Sequence, residues 1–396
     1  MLRVTMADAA TARRTLPRPD EAATRRMIAD ARSVVVKVGT NALTTAGDRL
    51  DGDRVRSLAG EIAALRSDRR RIVLVSSGAV GAGMDVLNLP QRPTDLPRLQ
   101  ASAAAGQARL ISLYEAALRD HGTHAAQILL TGNDFKQRPR YLNVRNTIDA
   151  LFTLGVVPIV NENDTVSVAE IRFGDNDRLA TLVAGLLDDV SLVVLTAVEG
   201  LLDGPPGAAD SRRVSYVPNA TSVGGVVAEE RSSLGSGGMG AKLRAVSAAC
   251  DAGVPTAIID GRRPGSLADL FAGFDVGTAF APERATMPAW KRWIAQAAGE
   301  GGTLTLDEGA TRAVREGGRS LLPVGVRRVS GTFERGDVVR LETIGGELIG
   351  RGLTNYDSDH AARLAGTKSD AVDGPDRPYL EIVHRNNLVL RGGESC

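Results

Sequence analysis

The sequence predicts an α/β protein: a mostly parallel sheet sandwiched by helices, followed by a small β-rich domain. Two observations carry this. From Ser33 to about residue 280, short Val/Ile/Leu-rich runs alternate with longer helical stretches, the pattern of βαβ units whose strands are buried on both faces. Beyond residue 300, Gly-containing turns at Arg335-Gly336 and Gly345-Gly346 separate short strands instead, as in a small β module.

Taken in order, residues 1–32 hold seven arginines and four acids and lack the apolar core of a signal peptide. They read as a dispensable extension ending in a helix over Asp20–Ala31. The sheet strands are expected at Ser33–Val38, Arg71–Ser76, Ala125–Leu130, Val156–Asn161, Ser191–Thr196 and Pro255–Asp260. Helices are expected at Arg98–Asp120, Tyr141–Leu154, Asn176–Leu187 and Met239–Ala252. This domain spans 33–280. Residues 281–300 read as a linker with a short helix carrying Trp290 and Trp293. The β-rich module spans 301–380, with strands or helices at Thr303–Asp307, Gly309–Gly317, Gly325–Thr332, Asp337–Thr343 and Glu347–Leu353.

Composition removes several function classes. A length of 396 residues exceeds one ordinary domain. The net charge of +1 argues against coating nucleic acid or an anionic membrane. Cys250 and Cys396 cannot build a disulfide framework, so a reducing cytoplasm is the simplest location. The four histidines show no metal-site spacing, so no protein-built metal site is expected. No apolar run approaches the roughly 20 residues of a membrane span. Of the 48 basic residues only five are lysine: Lys37, Lys136, Lys242, Lys291 and Lys368. A lysine in an unusual setting therefore stands out.

In open parallel sheets, ligands bind beyond the carboxyl ends of the strands, and four segments there carry chemistry. Val34-Val35-Val36-Lys37-Val38-Gly39 puts a lysine in an apolar strand, where an ammonium needs an anionic partner. Ser76-Ser77-Gly78-Ala79-Val80-Gly81-Ala82-Gly83 is a Gly-rich turn into a helix, suited to an anion or simply a tight connection. Asn161-Glu162-Asn163-Asp164 and Gly174-Asp175-Asn176-Asp177 supply more carboxylates and amides than capping requires. They suit an amino group, lysine orientation or metal-bound water, or form a solvated loop. Gly235-Ser236-Gly237-Gly238-Met239-Gly240-Ala241-Lys242 is a glycine loop before a helix, without the Walker A order. Lys37 and Lys242 at one sheet edge suit phosphoryl transfer, where preorganised cations stabilise spreading charge. Lys136, Lys291 and Lys368 read as surface residues.

VVVKVGT, SSGAVGAG, the VNENDTV…FGDNDRL pair and GSGGMGAKL together resemble the amino-acid kinase family, over about Ser33 to Phe280. The NEND/GDND pair resembles the branch that acts on glutamate, and Gly301–Gly366 resembles a PUA domain. The resemblance implies that Lys37 and Lys242 stabilise the transferring phosphoryl group and that Asp177 orients them. It assigns Ser77, Asp164 and Asn176 to L-glutamate. Lys37, Thr196, Ala197, Ser236, Gly237, Gly238, Met239, Gly240, Ala241 and Lys242 would hold ATP with its Mg²⁺. It further implies feedback inhibition by proline and a homo-oligomer. Two departures stand out: Thr196-Ala197 replaces the family's Thr-Asp, and Leu202–Gly207 lacks the expected tyrosine.

Three alternatives compete. Another kinase of this fold would act on aspartate, acetylglutamate or a nucleoside monophosphate, which the NEND/GDND pair disfavours. RNA binding by the PUA-like module is disfavoured because residues 301–366 carry nine arginines against nine acids. A catalytically silent regulator is disfavoured by retention of both lysines and the aspartates.

Overall fold

The valine run after residue 32 forms β1 (Ser33–Val38), buried along its whole length. β-Branched side chains fit a strand covered on both faces. The computed structural model describes residues 19–45, 47–135, 138–166, 175–205, 207–208, 210–220, 238–283, 291, 294, 301–367 and 381–390. The chain divides into two units: residues 1–129, 151–184 and 189–283, and residues 130–150, 185–188 and 284–396.

The first unit is built on a sheet whose other strands are β2 (Arg71–Ser76), β3 (His124–Leu130), β4 (Val156–Glu162), β5 (Val190–Thr196), β6 (Tyr216–Val217), β7 (Thr256–Asp260) and β8 (Thr278–Phe280). The spatial order is β3-β4-β2-β1-β5-β7-β8-β6. β1 pairs in parallel with β2 and β5, β2 with β4, and β5 with β7, whereas β8 runs antiparallel to β7. All the strands expected in this domain are present; β6 and β8 are too short to leave a hydrophobic run. From β1 the chain first fills one side through β2 and β4, then crosses to the other at β5. The reversal lies between β1 and β5, and a crevice opens there at their carboxyl ends.

The helices are α1 (Pro19–Asp30), α2 (Thr40–Leu43), α3 (Gly52–Ser67), α4 (Ala79–Val86), α5 (Leu96–Arg119), α6 (Arg138–Thr153), α7 (Asp175–Leu186), α8 (Met239–Asp251) and α9 (Ser266–Phe271). Asp51 caps α3 through the Asp53 and Arg54 amides, and Asp95 caps α5 through Arg98. No described helix is long and apolar enough to cross a membrane. α1 corrects the expectation of a dispensable extension: Ile28 and Arg25 are fully buried, and the helix packs on α9, β5 and β8. Its arginine content hid this, because Arg25 is solvated by protein carbonyls and carboxylates instead of water.

The second unit carries β9 (Thr303–Leu306), α10 (Glu308–Arg315), β10 (Val326–Ser330), β11 (Val338–Thr343), β12 (Leu348–Thr354), α11 (Ser358–Leu364) and β13 (Val383–Leu390). Its sheet has the order β10-β9-β11-β12-β13 around a core that includes Leu304, Leu341, Ile349 and Val383. β13 escapes sequence reading because His384-Arg385-Asn386-Asn387 interrupts its apolar pattern. Lys291 is 8 % exposed, so its surface reading does not hold. Lys136, Lys368, Trp290 and Trp293 lie outside the described residues.

α4 and α5 meet backbone to backbone. A Cβ on Gly83 would stand 1.7 Å from the Ser102 carbonyl oxygen, and one on Gly106 would stand 1.8 Å from that of Ala79. Ala79 opens α4 directly after the Ser77-Gly78 turn, so this contact sets where that turn sits. Gly106→Ala is expected to lower stability by about 1–3 kcal/mol, the usual cost of overpacking, despite alanine's better helix propensity. Chemical denaturation measures it; an unchanged midpoint would show that the two helices can separate freely.

Candidate active site

Lys37 sits near the carboxyl end of β1, level with Val75 on β2 and Val194 on β5. It is 4 % exposed, so its ammonium requires a protein partner. Asp177, in the first turn of α7, supplies it at 2.7 Å. Gly39 leaves room above: a Cβ there would lie 3.4 Å from the Lys37 Nζ. The other Asp177 oxygen faces the Lys242 Nζ at 3.7 Å. One buried carboxylate thus stands between two ammonium groups whose Cα atoms are far apart in sequence. Burial pulls the Lys242 pKa down, Asp177 opposes that shift, and the charge on Lys37 adds to it.

α7 and α8 hold this geometry. One turn beyond Asp177, the Thr181 hydroxyl donates to the Ala245 carbonyl of α8 at 2.9 Å. Leu179, Ala180 and Val183 of α7 and Val246 and Ala249 of α8 are buried. α8 starts at Met239 with Gly238 as its N-cap, and no side chain caps its first amides. A helix start of this kind, with Lys242 in its first turn, is suited to anionic oxygens. Ser236 and Gly237 lie outside the described residues; Gly238, Met239, Gly240 and Ala241 are placed at this helix start.

Beside β1, Thr196 ends β5 at the switch point. Its hydroxyl accepts from the Val198 amide at 3.1 Å, folding the chain away from the strand. The Ala197 carbonyl accepts from the Arg262 guanidinium, and Gly261 N–H donates to the Thr196 carbonyl at 2.9 Å. At Ala197, the departure from the family pattern, the main chain alone makes this contact.

A second group of residues surrounds Asn176. Its Nδ2 donates to the Ser77 hydroxyl and to the Asn161 Oδ1, both at 3.0 Å. Its Oδ1 is buried with no partner among the described residues, which leaves an acceptor for a ligand's N–H. Behind Ser77, the Ser76 hydroxyl meets the Tyr114 hydroxyl at 3.0 Å, and Tyr114 is fully buried. Gly78 adopts φ 106°, a left-handed turn open to glycine. Gly81 and Gly83 serve close packing: a Cβ on Gly81 would lie 2.4 Å from the Asp48 carbonyl. Asp164 lies in the turn after β4. Burial and the neighbouring Glu162 raise its pKa to about 6, against the opposing pull of Arg92.

The structure therefore joins Lys37, Asp177 and Lys242 in one cluster, and Ser77 and Asn176 in another. Within the Asn161–Asp164 loop it is Asn161, not Asp164, that touches Asn176. Ser76, from the recognised Gly-rich turn, joins the surroundings, and Tyr114 and Arg92 join them unforeseen. Asn161 stood within a recognised polar run; Tyr114 carries no sequence signal, because a tyrosine on an apolar helix face reads as core.

A doubly covered parallel sheet with two buried cations on one carboxylate at its switch point defines a site for anionic ligands. Residues 32–260 match the amino acid kinase family, and residues 302–374 match the PUA domain. The chain is 48 % identical to a glutamate 5-kinase of Rhodopirellula baltica, over 94 % of this chain and 97 % of that protein. It is 45 % identical to the glutamate 5-kinases of Thioalkalivibrio sulfidiphilus and Myxococcus xanthus, over 93 % and 92 % of this chain and 99 % and 98 % of theirs. The chain belongs to the amino acid kinase family, among its glutamate 5-kinases.

Two predictions follow the electrostatics. Removing either lysine leaves Asp177 with the other ammonium, whereas removing Asp177 leaves two buried cations facing each other. Asp177→Ala is therefore expected to cost about 3–5 kcal/mol, and Lys37→Ala or Lys242→Ala less, in urea unfolding; a reversed order would refute the arrangement. For Asp164, the folded pKa lies above the unfolded value of about 3.9. Stability contributed by the protonated form is present below about pH 4 and is lost as pH rises towards about 6. Asp164→Asn is expected to add about 1–3 kcal/mol at pH 8 and nothing at pH 4. Equal effects at both values would contradict it.

Proposed function

We propose that the chain transfers the γ-phosphoryl group of ATP to the γ-carboxylate of L-glutamate, giving γ-glutamyl phosphate, the first step towards proline. The observation that carries this is the Lys37–Asp177–Lys242 cluster at the β1/β5 switch point. The glutamate 5-kinase relatives identify the acceptor. The γ-carboxylate attacks phosphorus, the β–γ phosphoanhydride bond breaks, and ADP leaves. Charge on the equatorial oxygens is met by Lys37 and Lys242, held in place beforehand by Asp177. No covalent enzyme intermediate is needed, since positioning and fixed charge supply the catalysis.

ATP lies along the carboxyl ends of β1 and β5, with Thr196 and Ala197 on one side and residues 236–242 on the other. L-Glutamate occupies the Asn176 side, where the Asn176 Oδ1 and the Asp164 carboxylate accept from its ammonium and Ser77 contacts it. Among the described residues no group of three acids or histidines forms a cation cage. Mg²⁺ fits this site as an ion carried on the nucleotide phosphates, its common mode of binding. The kinase domain spans residues 33–280 with α1 packed on it, and the PUA-like domain begins at residue 301 and takes in β13. The protein works in the cytoplasm as a homo-oligomer, with proline as feedback inhibitor.

A coupled assay for ADP release tests this reading. Glutamate is expected to support turnover, while aspartate, acetylglutamate and nucleoside monophosphates are not. Lys37→Ala and Lys242→Ala are each expected to lower kcat by about 10²–10³, the usual cost of losing one preorganised charge or donor. Asp164→Ala is expected to raise the KM for glutamate and leave that for ATP unchanged. Turnover without glutamate dependence, or near-wild-type kcat in either lysine variant, would sink the proposal.

A further inference from the structure

The arginine of α1 that the core conceals does more than hold a helix. Arg25 is fully exhausted by protein partners. Its Nε donates to the Glu21 Oε1 at 2.9 Å, and one terminal nitrogen donates to the Val276 carbonyl at 2.8 Å. The other donates to the Ser215 carbonyl at 2.9 Å and to the Asp275 Oδ1 at 2.8 Å. The same Asp275 oxygen accepts from Arg213 at 2.7 Å, and Arg213 also donates to the Gly277 carbonyl. Ser215 Oγ closes the circuit on the Glu21 Oε2 at 3.2 Å.

Three separate segments meet in this knot: α1, the turn entering β8, and the excursion that leaves β5 after Thr196 and returns at β6. The excursion doubles back on itself, with Val214 N–H donating to the Leu201 carbonyl at 2.8 Å and Leu202 bridged to Arg213. Its base is fastened to β8 by the Thr278 hydroxyl, which accepts from the Leu201 amide and donates to the Val214 carbonyl. The guanidinium itself holds the returning end at Ser215, and Thr278 on the adjoining strand ties that end to the outgoing one through Val214 and Leu201. A planar group with five donors can bind several carbonyls and two carboxylates at once; an ammonium cannot. Glu21, Arg25 and Asp275 all lie outside the 32–260 stretch that matches the kinase family.

We infer that Arg25, through Asp275 and Arg213, is a positioning residue for nucleotide affinity. It fastens the returning end of the excursion, which Thr278 and the Val214–Leu201 pairing tie to the outgoing end, whose first residues, Thr196 and Ala197, border the ATP side of the crevice. This rests on the assignment of that edge to ATP. Glutamate lies on the Asn176 side, served by β2, β4 and α7, none of which the knot touches. The two substrates should therefore respond differently to its loss.

The test titrates a non-hydrolysable ATP analogue and, separately, glutamate into the full chain by calorimetry, with thermal melting alongside. Arg25→Met and Asp275→Asn are expected to weaken the analogue about three- to thirty-fold, the range of coupling through contiguous networks. Glutamate affinity should stay within about twofold, and Arg25→Lys should recover part of the loss. Should Arg25→Met not fold, Asp275→Asn decides, since Asp275 is partly exposed and its loss leaves Arg25 paired with Glu21. Unchanged analogue affinity in Asp275→Asn, with Lys242→Ala still weakening the analogue, would overturn the inference and leave the ATP site standing. Equal weakening of both ligands would reduce the knot to a structural role and also overturn it. If Lys242→Ala leaves the analogue's affinity intact, the ATP assignment itself falls, and the inference with it.

Discussion

Two ammonium groups brought to one buried carboxylate impose the main constraint on this fold. Lys37 arrives on a strand, Lys242 on the first turn of a helix, and Asp177 on the first turn of another. In a low-dielectric setting none of the three is tolerable alone. Each therefore requires the others, and their elements must dock to within hydrogen-bonding distance for the first unit to be stable. The Thr181–Ala245 contact one turn along shows how the helices are locked once the charges have met. A lysine pair held apart by a carboxylate is also preorganised, which suits its proposed role towards a phosphoryl group.

Around that cluster the structure divides its work between two sides of β1. On the β2–β4 side, the Ser77 hydroxyl after β2 and the Asn161 amide of β4 converge on Asn176, and packed glycines of α4 and α5 bring Ser77 there. On the β5–β7 side, main-chain contacts at Thr196, Ala197 and Gly261 dominate. That difference suits the ligands assigned to each: a small amino acid needs specific polar partners, whereas phosphates are held by charge and backbone amides. The Asp164 carboxylate is destabilised by its own burial and by Glu162, a local cost to stability that an incoming cation would relieve.

Much of the fold was legible because buried parallel strands are written as continuous apolar runs. Ser33–Val38 and Arg71–Ser76 have the expected ends, and the others shift by a residue. Elements that depend on neighbours were not legible. β6 and β8 have only two and three residues and exist because an edge was available to pair with. β13 carries a polar middle that a sheet edge accommodates. α1 was misjudged because arginine reads as solvent-facing, and nothing local reveals that carbonyls from residues 215 and 274–277 will replace the water.

By itself, the sequence determined the alternation of strands and helices, the β-rich second segment, and the unusual placement of Lys37 in a valine strand and Lys242 in a glycine loop. Those are local properties: side-chain period, turn chemistry, and a charge where no charge is cheap. Only the tertiary structure decided that the two oxygens of Asp177 are shared between the lysines, that Asn161 contacts Asn176, and that within the SSGAVGAG run Gly78 makes a left-handed turn while Gly81 and Gly83 allow close backbone approach. These are matters of distance between residues remote in sequence. They are settled by which buried polar groups can satisfy one another once the sheet has closed.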